Sequence, residues 1–283
     1  MQADSSWKRD APRQAILFCL LFLCLPIYGQ SLGFLAGTNA SAILLDVQTG
    51  RTIATFGRTG IPSTPGSTLK PFLLLAALKE GIVTEHTTVE CRGILTIDDR
   101  GHPRNLACTH PRTTTIFAAQ AALAYSCNTY FARLAARMSP TQLTQSLSNF
   151  GIRTQPIDDP NQRILQALGL FSVKVSAEQL ARAYALLARE FTSAHSNPAN
   201  IVHQGLLDSV SFGMADNAAV PGLTLAGKTG TASDPGRPWT HGWFAGIVED
   251  APATVLVVYV PHGSGADAAT LARTILAKRE RKP

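Results

Sequence analysis

The chain has 283 residues, of which 45% are hydrophobic, 16% charged and 7% aromatic, with a formal net charge of +6. This composition excludes a disordered chain and a disulfide miniprotein, and no heptad run or fixed-period repeat marks a coiled coil or a solenoid. Lys8, Arg9 and Arg13 against Asp4 and Asp10 give +1, and Lys278, Arg279, Arg281 and Lys282 against Glu280 give +3; about +2 remains elsewhere, so no basic face points to nucleic acid.

Lys8, Arg9 and Arg13 precede an apolar run from Ala15 to Leu25, followed by Pro26, Tyr28, Gly29 and Gln30. Charge, apolar stretch, helix breaker and small residue is the order of a secretory signal, with a cut after Gly29. The rival is an uncleaved anchor over residues 15–36, although the clean run is shorter than the ~20 residues a span needs. Either way the rest of the chain is expected outside the cytoplasm, in the periplasm or cell envelope. The organisation read from the sequence is a signal or anchor over 1–29, a linker over 30–40, one domain over 41–278 and a basic tail over 279–283.

Ala42–Val47 and Thr52–Phe56 are β-prone runs joined by Gln48-Thr49-Gly50-Arg51, a hairpin. After Pro62, Pro65 and Gly66, Ser67 to Glu80 reads as a helix closed by Gly81. Proline fits only a first turn, so Pro71 places the start at about Ser67. Cys91–Arg112 reads as polar and irregular. Ile116–Met138 is alanine-rich and reads as one helix, broken at Ser139-Pro140, with another over Thr141–Phe150. Ser176 and Gln179 form a capping box for a helix whose Leu180, Ala183, Tyr184 and Leu187 share a face. Leu206–Ala215 reads as a further helix. Leu223–Ala232, Trp243–Val248 and Thr254–Val260 are strand-like, and Ala266–Lys278 is a closing helix. Strands at both ends with helices between predict an α/β fold: one antiparallel sheet built by both chain ends, flanking helices and an inserted helical subdomain. A site is expected in the crevice between sheet and helices.

Cys19 and Cys24 lie in the apolar segment, leaving Cys91, Cys108 and Cys127. In an oxidising compartment an odd count predicts one pair and one free thiol. Cys91 with Cys108 closes a short loop worth ~3 kcal/mol, and Cys127 is expected reduced. His102 and His110 flank Cys108, but the spacing lacks the tight pairs of a zinc ligand pattern. No metal and no cofactor is expected.

Three short patterns carry chemistry. Ser67-Thr68-Leu69-Lys70 is S-x-x-K at a helix start, Ser126-Cys127-Asn128 is S-x-N, and Lys228-Thr229-Gly230 is K-T-G on a strand. Singly they are weak: S-x-x-K recurs at Ser5–Lys8, Ser67 could be a simple cap, and Lys228-Thr229-Gly230 an ordinary turn. Their order and context together carry the weight. A serine hydroxyl needs a base to become a nucleophile, and Lys70, three residues on, shares its helix face. Lysine is a base only when neutral; burial and a second cation, Lys228, are expected to lower its pKa. The helix N-terminus offers N–H groups to an oxyanion. Ser126 can relay a proton to a leaving amine, Asn128 can hold a substrate amide, and the strand at Lys228–Thr231 offers an edge to an extended peptide. Thr229 and Thr231 add hydroxyls for a carboxylate.

These residues resemble the penicillin-binding transpeptidase family of serine acyltransferases, which shares its fold with the serine β-lactamases. The resemblance runs from about Ser41 to Leu276. Leu45-Asp46-Val47-Gln48-Thr49-Gly50 looks like the family's first hairpin. Pro65–Phe72 looks like its nucleophile segment, Ala124–Phe131 its second motif, and Ala226–Ala232 with Gly242–Gly246 its third motif and next strand. The resemblance implies Ser67 as acylated nucleophile, Lys70 as its base, and Ser126 and Asn128 as the second-motif pair. It implies Lys228, Thr229, Gly230 and Thr231 as the carboxylate-binding strand, and an oxyanion hole from the N–H groups of Ser67 and Thr231. The implied partners are D-Ala-D-Ala stem peptides of peptidoglycan, β-lactams as covalent ligands, and cell-wall synthesis proteins. Large relatives carry an extra N-terminal module for which this chain has no room, which favours an accessory role. Class A β-lactamases carry a Glu-x-x-x-Asn stretch after the second motif; here Asp158-Asp159-Pro160-Asn161 stands there, and a solvated turn is expected. The rivals are a serine β-lactamase and a module that senses β-lactam or wall peptide without turnover.

Overall fold

The computed structural model describes residues 32–111, 115–193 and 197–280. The apolar leader over 1–29 and the last three residues of the basic tail lie outside the described residues. No helix among the described residues is long and apolar enough to cross a membrane.

The chain opens with β1 (Ser41–Asp46) and β2 (Thr52–Phe56). A 3-10 turn over Gly66–Leu69 runs into helix α1 (Lys70–Lys79). A small β region follows: β3 (Val89–Glu90), β4 (Ile94–Asp99), β5 (His102–Ala107) and β6 (Ile116–Phe117). Then come α2 (Ala119–Ala124), α3 (Asn128–Arg137), α4 (Pro140–Ser148), α5 (Pro160–Ala167), α6 (Ala177–Ser193) and α7 (Asn197–Ser211). Strands β7 (Leu225–Ala232), β8 (His241–Val248) and β9 (Thr254–Val260) precede the last helix, α8 (Gly265–Glu280).

Both ends of the chain build one five-stranded sheet in the order β2-β1-β9-β8-β7. Every neighbouring pair in it is antiparallel. Strand periodicity sorts its side chains onto two faces. Ile43, Leu45, Trp243, Ala245, Val255 and Val257 enter the larger core with α1, α2, α6 and α7. Ala42, Leu44, Phe244, Leu256 and Val258 face the other way, under α8. Both faces being covered, β8 is buried along its whole length. Helix α1 is apolar on nearly every side and runs through the middle of the larger core, as an all-round hydrophobic helix must.

The expected hairpin, sheet and closing helix are present. Other elements differ, among them the helix read over Leu206–Ala215, which is α7 over Asn197–Ser211. The stretch expected to be irregular holds a hairpin: β4 and β5 pair antiparallel from Ile94↔Ala107 to Asp99↔His102. Their side chains are mostly exposed, with only Ile97 buried, so no sustained apolar alternation announced them. Ile116–Met138 is the short strand β6 followed by two helices, α2 and α3, with a turn at Ser126 between them. Asp158 and Asp159 are exposed, as expected of a solvated turn, and Asp159 also caps α5, its Oδ1 accepting from Gln162 N at 2.7 Å. The segment read as a linker also packs: Leu32 and Leu35 are buried beside α8, and Lys278 Nζ lies 3.9 Å from the Phe34 ring centroid.

Candidate active site

The nucleophile segment is held by its neighbours before it becomes helix. The Thr64 carbonyl meets His241 Nε2 at 2.7 Å and accepts from Trp243 Nε1 at 3.0 Å. The Thr64 hydroxyl donates to Asp234 Oδ1 at 2.6 Å and the Ser63 hydroxyl to Asp234 Oδ2 at 2.9 Å. Burial pushes the Asp234 carboxyl up, but those hydroxyls and the Thr64 amide outweigh it and hold it below the usual range. Beyond the serine, Tyr184 Oη donates to the Thr68 carbonyl at 3.0 Å. Gly66 adopts φ 56° and donates its N–H to Gly169 O at 2.9 Å. A Cβ on Gly66 would meet Thr231 O at 2.8 Å and Thr231 N at 3.1 Å; one on Gly230 would meet Ser67 N at 3.3 Å. The two glycines let the turn carrying Ser67 lie directly against β7, which brings the backbone of Ser67 beside that of Thr231.

Ser67 and Lys70 stand at i and i+3 of the 3-10 turn, whose last bond is Lys70 N–H to Ser67 O. In that geometry the two positions eclipse. The Lys70 side chain is fully buried. Its Nζ donates to Ser126 O at 2.7 Å, Ser126 Oγ at 3.1 Å and Asn128 Oδ1 at 2.8 Å. Three acceptors match the three donors of an ammonium. A neutral amine would use two of them and turn its lone pair to a hydroxyl proton. Burial lowers the Lys70 pKa to about 7, with Cys127 and Cys108 opposing the shift.

Lys228 is also fully buried, its Nζ donating to Thr229 O at 3.2 Å. Burial first, and the charge of Lys70 second, hold it well below the ordinary lysine value. The expected direction of influence is thus reversed. Burial, not Lys228, is what depresses Lys70.

The S-x-N turn explains the helix break. Ser126 N–H bonds to Leu123 O and Cys127 N–H to Ala122 O, a Schellman closure of α2. The left-handed position that glycine usually fills is taken by Ser126, at φ 55°. A non-glycine residue there carries ~1–2 kcal/mol of strain, offset by the bond from Lys70 to its carbonyl. The result aims Ser126 Oγ at the lysine.

The expected site residues therefore converge, with three refinements. Among the described residues Ser67 Oγ makes no hydrogen bond to Lys70 or Ser126; the bond formed is Lys70 to Ser126, whose turn takes up the lysine's donors. Asn128 is committed at both ends of its amide, its Nδ2 donating to Ala107 O at 2.9 Å, and one N–H remains for a substrate. Thr229 Oγ1 spends its proton on Met214 O at 3.0 Å. Thr231 Oγ1 instead accepts from Gly265 N at 2.9 Å and lies on the one exposed position of β7, keeping its proton for an incoming anion. Strand β7 is an edge of the sheet. Asp234, His241, Tyr184 and Gly169 position the nucleophile segment and carried no motif, and Trp243, which lay in a family-like segment, joins them; only their partners, 100 or more residues away in several cases, reveal this role.

The three thiols are free, so the pair expected between Cys91 and Cys108 is not formed.

Comparison with known proteins agrees with this geometry. The family model described as the penicillin binding protein transpeptidase domain matches residues 40–278. No curated protein matches the chain. Among solved structures, the D,D-transpeptidase domain of a peptidoglycan glycosyltransferase from Eggerthella lenta superposes with a TM-score of 0.74 at 19% identity. That match covers 89% of this chain and 80% of the other. The transpeptidase domain of Burkholderia pseudomallei penicillin-binding protein 3 gives 0.71 at 23% identity, covering 86% and 87%. A peptidoglycan glycosyltransferase from Burkholderia ambifaria gives 0.67 at 24%, covering 86% and 90%. These likenesses show the fold; the family match over most of the chain shows that it belongs to the penicillin-binding protein transpeptidase domain family.

Proposed function

We propose that the chain is an exported serine D,D-acyltransferase that acts on D-Ala-D-Ala stem peptides of peptidoglycan through an acyl-enzyme on Ser67. The observation that carries this reading is Lys70: a fully buried lysine with a pKa of about 7, three residues from Ser67 and bonded to Ser126 and Asn128. Neutral Lys70 takes the Ser67 proton as the oxygen attacks the penultimate D-Ala carbonyl. The adjoining backbone N–H groups of Ser67 and Thr231 stabilise the oxyanion. Ser126 passes the proton from Lys70 to the departing D-Ala amine. The peptide lies along the β7 edge, with its carboxylate at the Thr231 hydroxyl and Lys228. An amine or water then accepts the acyl group. Export rests on the charged and apolar leader.

The β-lactamase rival needs a base for a deacylating water. No hydrogen bond of Lys70, Ser126, Asn128 or Lys228 among the described residues goes to a carboxylate. Asp159 is occupied as a helix cap. The test is to incubate the full chain with a penicillin and follow the adduct by intact-mass spectrometry over hours. A persistent adduct on Ser67 supports the reading. Rapid multiple-turnover hydrolysis moves the protein to the β-lactamase class. An adduct without any release or transfer of D-Ala from a stem peptide makes it a sensor.

A further inference from the structure

Behind the S-x-N turn lies a second constellation. Cys91 precedes the β4–β5 hairpin, Cys108 and His110 follow it, and Cys127 sits between Ser126 and Asn128. The three Sγ atoms and a His110 ring nitrogen all lie within 4.8 Å of one another. Cys91, His110 and Cys127 are buried and Cys108 is half-buried. We propose that Cys91, Cys108, His110 and Cys127 bind a zinc ion that fastens the β4–β5 hairpin to the turn carrying Ser126 and Asn128.

Four observations support it. First, the separations suit one tetrahedral ion. Zinc–sulfur bonds of about 2.3 Å place tetrahedral sulfurs about 3.8 Å apart, a contraction of at most about 1 Å from what is seen. Second, the imidazole is preset. His110 Nδ1 lies 3.1 Å from the Pro111 carbonyl, which as an acceptor fixes the proton on Nδ1. Nε2 then presents its lone pair, and it already lies 3.3 Å from Cys91 Sγ. A backbone carbonyl on the distal nitrogen is the usual support of a metal-bound histidine. Third, one hydroxyl sits beside two of the sulfurs. The Thr129 hydroxyl lies 3.3 Å from Cys91 Sγ and 3.8 Å from Cys108 Sγ. Fourth, the donor set is three sulfurs and one nitrogen with no oxygen, which selects zinc over magnesium or calcium. A disulfide between any two of the thiols would leave the third and the imidazole unmatched in a buried site.

The four ligands come from both sides of the hairpin and from the catalytic turn, and Asn128 Nδ2 already bonds to Ala107 O at the hairpin's end. The ion would lock that junction.

The test uses the full chain, purified in detergent without chelator after expression with zinc. Elemental analysis should find one zinc per chain. Cobalt exchange should give thiolate-to-metal charge transfer and the intense visible bands of a tetrahedral site. Cys108→Ser and His110→Gln should each abolish stoichiometric zinc. Thr129→Val, which keeps all four ligands, should weaken zinc about 10–100-fold in a chromophoric chelator competition. Alkylation before and after chelation should show three thiols protected by metal and then released. Protein that is folded in the presence of zinc yet holds none overturns the proposal, as does a Cys91–Cys108 disulfide in that protein. Should the ligand variants fail to fold, the cobalt spectrum of the unaltered chain decides: bands without sulfur charge transfer refute this ligand set.

Discussion

The buried state of Lys70 makes the pH dependence of acylation a sharp test. With a pKa of about 7, the lysine is about 9% neutral at pH 6 and about 91% neutral at pH 8. If the neutral amine is the base, the second-order rate constant for labelling by a fluorescent penicillin rises roughly tenfold across that interval and then levels. A lysine at its ordinary value near 10.5 would give a roughly hundredfold rise over the same interval, still climbing at pH 9. Stopped-flow labelling from pH 5.5 to 9.5 separates the two. A rate that climbs with unit slope beyond pH 9, or one that ignores pH altogether, refutes Lys70 as a desolvated base. Stability provides a linked check. The native lysine has the lowered pKa, so between about pH 7 and 10.5 the unfolded chain binds more protons than the folded one. Stability from this group therefore rises with pH across that window and is flat below it. Lys70→Met removes the dependence, so its urea midpoint should shift less between pH 7 and pH 9 than that of the unaltered chain.

Three further outcomes follow from the site. Ser67→Ala should abolish penicillin labelling while the far-UV circular dichroism stays native; Lys70→Ala should slow labelling by at least ~10²–10⁴-fold. Thr231→Val should weaken carboxylate recognition, raising the penicillin concentration for half-maximal labelling rate about tenfold, whereas Thr229→Val strips Met214 O of its donor and should lower stability by ~1–3 kcal/mol in urea titrations. Gly169 has φ 69°, and a Cβ there would meet Gly66 O at 2.2 Å; Gly169→Ala should depress the melting temperature and the labelling rate together, and a variant that melts and labels normally would show that this contact does not position Ser67.

Local pattern alone determined much of this protein. β-Prone runs marked both hairpin strands and the three late strands, and helical periodicity marked the α6 face. Pro71 located the nucleophile helix within its first turn, because proline allows little else. Three motifs in order named Ser67, Lys70, Ser126 and Lys228, since that chemistry needs those residue types. Tertiary structure decided what depends on distant partners. Ser126 takes a left-handed position normally signalled by glycine, and it does so because Lys70, 56 residues earlier, bonds to its carbonyl. The largely polar β4–β5 hairpin buries only Ile97, with Leu95 and Leu106 beside it, too few apolar positions to write a period into its sequence. The thiol spacing resembles no tight-pair motif, yet the hairpin folds Cys91 back beside Cys108 and His110 and sets all three against Cys127. Thr229 and Thr231 look alike in K-T-G-T, and only the positions of Met214 O and the Gly265 amide distinguish the proton that is spent from the one left for a ligand. Periodicity and backbone chemistry are local and therefore legible; hydrogen-bond partners and desolvation belong to groups that meet only once the chain is folded.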